Sequence, residues 1–215
     1  MARLRANIAT SLDGFVAGPR QSVDDPLGVG GMQLHSWAFE LGAWREAHGL
    51  EGGAVNASTA VVEELLDNLG ASIMGRNMFG GSGRWQDQPW DGWWGDDPPF
   101  HTPVFVVTHH PREPLVMRGG TTFTFVTDGV ESAFEQAREA AGGKDVSVAG
   151  GASIIQQCLK AGLLDELQIN LVPVLLGSGE RLLDNLEGAE IELECTRVVE
   201  APGVTHLRYR ARGHR

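Results

Sequence analysis

Cysteine is scarce in this chain. Its 215 residues carry two, Cys158 and Cys195, far apart and outside any Cys-x-x-Cys spacing, a pattern that argues against thiolate ligands or a redox pair. Cys158 falls on the apolar stripe of an expected helix and Cys195 in an alternating strand. Both read as small core residues, with free thiols in a reducing cytoplasm. Positive charge is also short: Lys and Arg total 17 against 28 Asp and Glu, for a formal net charge of −11. A surface for nucleic acid or an anionic membrane needs a basic face that this balance argues against, although a local basic pocket for one phosphate-bearing ligand stays compatible with it. Long apolar runs are missing too. None spans a bilayer, and the start Met1–Ile8 lacks the apolar stretch of a signal peptide. The expectation is a cytoplasmic protein with no membrane and no nucleic-acid partner. Internal repeats, charge runs and linkers are likewise absent, so residues 1–215 are read as one domain.

What is present is an alternation of strand and helix patterns. Leu4–Thr10 reads as a first strand, closed by the turn Ser11-Leu12-Asp13-Gly14. Gly14 takes turn conformations that a side chain resists, and Ser11 and Asp13 offer local hydrogen bonds. Residues 18–33, rich in Gly, Asp, Ser and Pro, read as a mobile loop, Gly28–Gly31 included. Leu34, Trp37, Ala38, Leu41, Trp44 and Arg45 keep helical spacing over 34–47. Val61, Val62, Leu65, Leu66 and Leu69 define a second helix, with Asn56 or Ser58 as its cap and Gly70 as its stop. Strands follow at 71–74, 104–107 and 122–126. A helix over 130–141 has Asp128 and Glu131 in capping-box positions. Leu167, Ile169 and Leu171 alternate with Glu166, Gln168 and Asn170, giving one apolar and one polar strand face. Strands over 191–199 and 204–210, joined by Ala201-Pro202-Gly203, form an antiparallel hairpin. This order predicts an α/β fold of three layers, with a mainly parallel sheet and an antiparallel C-terminal hairpin.

In such sheets ligands collect beyond the carboxyl ends of the strands. Three predicted ends offer suitable groups: Gly75-Arg76, Thr108-His109 and Gly150–Ser153. The last stands between the apolar strand Val146–Ala149 and a helix. Its glycines let backbone approach a ligand, and the helix start aims free N–H groups at the same spot, which suits a phosphate. A plain tight strand-to-helix connection accounts for the same residues. His109 and His110 have no ligand partners at useful spacing, so no metal site is expected. Residues 80–103 hold four of the six tryptophans, at 85, 90, 93 and 94. A loop so long and so aromatic either floors a substrate pocket or wraps against the body or a partner subunit.

Taken together, Ser11-Leu12-Asp13-Gly14, Met74-Gly75-Arg76, Val148-Ala149-Gly150-Gly151 and Leu171-Val172-Pro173-Val174-Leu175-Leu176-Gly177-Ser178-Gly179 occur in a recognisable order. Over nearly its whole length the chain resembles the dihydrofolate-reductase-like family that includes the reductase half of the bifunctional riboflavin-biosynthesis deaminase-reductase. The resemblance implies a three-layer α/β/α fold, NADPH as hydride donor, a small heterocyclic (pterin- or pyrimidine-like) substrate, and a homodimer. The positions matching the family's cofactor motifs are Gly75, Arg76, Thr108, Gly150, Gly151, Ala152, Ser153 and Ile154. Arg76 would clasp an adenosine-ribose phosphate with its planar fork, or else make a surface salt bridge. Thr108 would bond the cofactor or simply end its strand. Ser11, Asp13 and Trp85 would border the substrate. Asp13 would bind it or orient a proton donor, unless it serves only the turn beside Gly14; Asp13, Glu40 or a bound water would supply the proton. Two departures stand out. The riboflavin reductases carry a glutamate before the paired glycines where this chain has Ala149, and the His-x-Glu…Pro-Cys-x-x-Cys signature of a zinc deaminase is absent. A ligand-binding protein without catalysis, or an interaction module built on the tryptophans, is the alternative reading.

Overall fold

A computed structural model of the chain describes residues 2–80 and 90–212. The strands are β1 (Leu4–Ser11), β2 (Phe15–Ala17), β3 (Leu69–Gly75), β4 (Pro103–Val107), β5 (Leu115–Val116), β6 (Thr122–Val126), β7 (Asp145–Gly150), β8 (Glu166–Val172), β9 (Glu180–Arg181), β10 (Glu192–Ala201) and β11 (Val204–Arg212). The helices are α1 (Ser36–Phe39), α2 (Gly42–Ala47), α3 (Ala57–Leu66), α4 (Arg76–Gly80), α5 (Gly129–Ala140) and α6 (Ala152–Lys160). Among the described residues nine strands form one sheet, in the order β10-β11-β8-β1-β7-β3-β4-β6-β5, while β2 and β9 pair as a separate ribbon. The strands from β8 to β6 run parallel. Both edges turn antiparallel, at the expected β10–β11 hairpin and at β5, which is too short to leave a periodic signal.

The central parallel strands are apolar on both sides because both sides are covered. One face carries α5 and α6, whose Val130, Ala133, Ala137, Ile155 and Cys158 pack onto Leu4, Ala71, Ile73, Val146 and Val148. On the other face, Met74, Val104, Val106 and Phe123 meet Phe79, Trp90, Trp94 and Phe100. Further along that sheet, Leu34 and Trp37 cover Ala9, Val172 and Val204. The second outer layer is therefore short helices plus an aromatic segment, not a pair of long helices.

Several local expectations are corrected. The helix over 34–47 breaks into a 3-10 turn at Gly31–His35, then α1 and α2. Leu41 adopts an extended conformation between them and bridges Ala54, so a tertiary contact overrides helical spacing. Asn56 caps α3 in a reciprocal box with Thr59. The helix stops at Leu66, because Asp67 turns extended and Asn68 enters the left-handed region at φ 57°; Leu69 then belongs to β3. Asp128 makes no capping bond, and Gly129 at φ +91° turns the chain into α5. Cys158 is buried, its thiol pushed up to about 12 by burial, whereas Cys195 is exposed rather than a core residue. Among the described residues no helix is long and apolar enough to cross a membrane, and no cluster of His, Cys, Asp and Glu is arranged to hold a metal.

The alternation along β8 is real, but its polar face is covered too: Leu167 on the apolar face lies in the core, and the amides opposite it are also shielded. Gln168 and Asn170 are buried while Ile169 and Leu171 are half-buried. Buried amides need partners, and each finds one. Asn170 donates to Asn7 Oδ1 at 2.8 Å, and Arg208 donates to Gln168 Oε1 at 3.2 Å. His206, 1% exposed, lies 2.8 Å from Asn170 Oδ1 through Nδ1 and 2.8 Å from Ser58 Oγ through Nε2. Because the Asn170 oxygen only accepts, Nδ1 carries the proton and Nε2 accepts from the Ser58 hydroxyl. Burial, reinforced by the charge of Arg197, lowers the His206 pKa to about 4.

A second polar cluster ties the N-terminal strand to its neighbours. Asp145, 2% exposed, accepts from the Arg3 backbone at 2.9 Å and the Arg3 guanidinium at 3.0 Å, with Arg5 Nε at 3.2 Å. The Arg5 guanidinium then donates to the carbonyls of Glu64 and Asp67 at 3.2 and 2.8 Å, at the end of α3.

His206 is held neutral, with a folded pKa below its unfolded one, so its contribution is complete above about pH 6.5 and drains away as pH falls toward 4, by on the order of 3 kcal/mol. Urea denaturation at several pH values should show this slope in the wild type. The slope should flatten in His206→Asn, and an unchanged slope there would refute the assignment. Asp145→Ala should cost about 3 kcal/mol, since it strands the buried Arg5.

Candidate active-site cleft

The sheet order places the ends of β7, β3 and β4 side by side, with Met74 opposite Gly150 and Gly75 opposite Val107. The three strand ends singled out in the sequence therefore adjoin. Gly75 is required by packing: a Cβ there would come within 2.9 Å of Ile154 Cγ1, so the bare backbone lets α6 dock on β3. Gly150 sits at φ +129°, facing Met78 and Ile8. Gly151 caps α6 without a side chain, and a Cβ on it would meet only Glu180 Oε2, 4.0 Å away. The first N–H groups of α6, which the helix cannot satisfy, start at this bare backbone. Ala152 and Ile154 are buried and contribute main chain and core; Ser153 is exposed, and its hydroxyl accepts from Gln157 at 3.2 Å.

Arg76 opens α4 directly after β3 and is half-buried, with burial lowering its pKa. Thr108 is buried at the end of β4. Its hydroxyl accepts the His110 N–H at 3.1 Å and its own N–H donates to Val126, so it terminates the strand and shapes the turn after it.

Beside Gly150–Gly151 opens a cleft of about 280 Å³. Its floor is Ile8 and Ala149, and its walls come from two loops. Pro26 and Leu27 bring one wall. This loop, expected to be mobile, is tied back on itself: Gly18 N–H donates to Leu27 and Val29 N–H to Pro19, at 2.8 and 2.9 Å. Trp93 and Trp94 bring the other wall. Trp94 packs on Phe100 and Phe123, with ring centroids 5.1 and 6.0 Å apart, and Trp90 Nε1 donates to Phe79 at 3.0 Å. Packing and pocket lining are thus both performed by this segment. The indole of Trp93 donates to Val23 at 3.1 Å, joining the two walls. Trp85 lies outside the described residues.

Ser11 and Asp13 do not line this cleft. They border a neighbouring depression of about 450 Å³ with Ile169, Leu171 and Arg181. Ser11 Oγ donates to Asp13 Oδ1 at 2.6 Å, and the backbone of Leu176 and Gly177 donates to the same carboxylate at 3.1 and 2.7 Å. The Ser11 bond foremost, together with the two backbone bonds, outweighs the opposing desolvation and holds the Asp13 pKa down to about 2. Among the described residues, the titratable ones that line the cleft are His35 and Glu180. Burial lowers the pKa of His35 and raises that of Glu180. Neither stood out in the sequence: His35 hides among helical apolar residues, and Glu180 is half of a two-residue strand. Glu40 is exposed and outside the cleft.

The family described as the RibD C-terminal domain matches this chain over residues 2–207. The chain belongs to that family. Among solved structures it is similar to a putative riboflavin biosynthesis protein from Shewanella sp. PV-4, at 23% identity and TM-score 0.62, covering 99% of each chain. It is also similar to the riboflavin biosynthesis reductase Rib7 of Saccharomyces cerevisiae, at 15% identity and TM-score 0.55, covering 98% of this chain and 90% of that one. A curated relative, the uncharacterized protein YyaP of Bacillus subtilis (strain 168), is 23% identical over 155 residues, 70% of this chain and 78% of its own. At these identities the structural likeness shows a shared fold, the mixed α/β sheet of the RibD C-terminal domain, and that likeness extends over the whole described chain.

The two glycines flanking the strand ends separate experimentally. Gly151→Leu has ordinary extended backbone and open space, so it should fold with a near-native melting temperature while filling the cleft. Gly75→Ala should instead destabilise by about 1–3 kcal/mol through the clash with Ile154. Equal melting temperatures for both variants would contradict this division.

Proposed function

We propose that this member of the RibD C-terminal domain family is an NADPH-dependent reductase of a small heterocyclic substrate, pterin- or pyrimidine-like. The observation that carries the reading is the bare backbone of Gly150–Gly151, set where a tryptophan-walled cleft meets the free N–H groups of α6. That is a cradle which any Cβ would begin to fill, and it fits a dinucleotide: pyrophosphate oxygens accept from the start of α6, and a flat ring enters the cleft. Arg76 and Thr108, at the adjoining strand ends, extend the same line toward the adenosine end, where a guanidinium suits the extra ribose phosphate. A reductase named among the chain's structural relatives supports the same reading.

Bound in this way, the reduced nicotinamide supplies a hydride. The residues of this chain do the remaining work. Trp93 and Trp94 offer flat faces against which a heteroaromatic ring lies, and with Pro26 and Leu27 they exclude water from it. Asp13, an anion bonded on its own side of the ribbon, holds the strand ends in place and stays out of proton transfer. Ala149, where riboflavin reductases carry glutamate, leaves the floor beside the glycines apolar, so the substrate differs in its polar contacts from a ribosylaminopyrimidine.

Adding NADPH should quench the fluorescence of Trp93 and Trp94 and raise the melting temperature. If millimolar NADPH changes neither, the reading fails. Arg76→Ala should weaken NADPH by roughly tenfold, about 1.4 kcal/mol, and NADH far less. Equal weakening of both would mean that Arg76 does not read the phosphate.

A further inference from the structure

Glu180 is a carboxyl in an apolar cleft, without a partner among the described residues. It makes no hydrogen bond or ion pair among the described residues, while its Oε2 lies 4.0 Å from where a Cβ on Gly151 would stand. It reaches this place because β9 pairs with β2, Glu180 opposite Ala17, and because alternation sends consecutive residues to opposite sides of a strand. Glu180 faces the cleft. Arg181 faces the other depression, stacks its guanidinium over Phe15 at 4.3 Å and donates to the Asp13 carbonyl at 2.9 Å.

The groups around Glu180 leave it uncompensated. From the loop after β2 comes the amide of Gln21, from the 3-10 turn His35, from α4 Asn77 and Met78, and from the aromatic segment Trp93 and Trp94. None of these is a fixed cation, and burial disfavours the charged form of His35. Arg76 does not line the cleft. A carboxyl so placed keeps its proton to higher pH than an ordinary glutamate. The contrast with Asp13, across the same ribbon, sets the two carboxyls apart: one is held as an anion by its hydrogen bonds, the other is pushed toward its protonated form by burial.

We propose that Glu180 is the proton donor of the cleft, delivering its proton to the substrate as the hydride arrives. The inference rests on the reductase reading and assigns a step within it. Glu180 gives its proton to the nitrogen of a polarised C=N bond. The π electrons of that bond move onto nitrogen, and the hydride of the reduced dihydronicotinamide joins the carbon. The O–H electron pair stays on the Glu180 carboxylate, which a solvent proton restores, and the cofactor leaves oxidised by two electrons. The substrate class implied is a flat heterocycle with a reducible C=N bond, small enough to lie between Trp93 and the glycine pair.

The test needs no substrate. Infrared titration of the ligand-free wild-type protein should show a carboxylic acid band that persists above the ordinary glutamate range and is absent from Glu180→Gln. The affinities of NADP⁺ and NADPH, read by tryptophan fluorescence across pH, carry a second signature. The oxidised ring is a cation, so it favours the carboxylate, whereas the neutral reduced ring does not. The ratio of NADP⁺ to NADPH affinity should therefore climb with pH through the Glu180 titration, toward about tenfold per pH unit. Both nucleotides share the same phosphates, so their titration cancels in the ratio. In Glu180→Gln the ratio should lose that climb with pH. A wild-type ratio that does not change with pH, or a glutamate band that titrates in the ordinary range, overturns the proposal and leaves the reductase reading standing. Failure of both nucleotides to bind the wild type overturns both together.

Discussion

The carboxylate of Asp13 is the contact on which the geometry of the site depends. It closes the turn at the end of β1 through Ser11 and reaches 163 and 164 residues along the chain to the N–H groups of Leu176 and Gly177. Those bonds fasten the segment that follows β8 against the mouth of the sheet. From there the chain can only run on through Gly179 into β9, alongside β2. The ribbon so formed divides the space beyond the strand ends in two. Asp13 thus acts as the fastening of the partition, and its low pKa keeps the fastening charged well below neutral pH.

The sheet beneath is asymmetric in a way that serves this arrangement. Its centre, β7-β3-β4, is buried by helices on one side and aromatics on the other, a rigid platform for the glycine pair. Its flank, β8 and β11, buries amides and one imidazole beside the hydrocarbon of Leu167, Val172 and Val204. The chain from Ser58 through His206 and Asn170 to Asn7 is fully partnered, and such networks fix a single arrangement of the strands they join. The half-buried Ile169, Leu171 and Leu207 on the opposite side border the Asp13 depression.

Much of this was legible in the sequence, and the reasons it was are local. Glycines at the ends of apolar runs, the Ala201-Pro202-Gly203 turn, and the strand-helix order each depend on a few adjacent residues, so they announced the parallel sheet, the hairpin and the adjoining ends of β3, β4 and β7. What escaped depends on distant partners. Alternation in β8 revealed which face is polar but not that His206 and Ser58 would cover it. Helical spacing over 34–47 could not register that Ala54 draws Leu41 into an extended bridge. Glu180 had no periodic signal, since β9 is two residues long and exists only because β2 lies beside it. Asp13 reads in the sequence either as a substrate-side group or as part of a turn, and nothing nearby says that its partners are Leu176 and Gly177.

Gly179 sits at φ +134°, and a Cβ there would come within 2.0 Å of the Ala17 carbonyl oxygen, so the two backbones mesh in a single position. A strand slipped by one residue turns its faces over. Here that slip would carry Arg181 into the cleft and Glu180 out of it, exchanging an acid for a permanent cation. The electrical sign of this binding site is therefore stored in a backbone register, guarded by one hydrogen atom where any other residue would place a carbon.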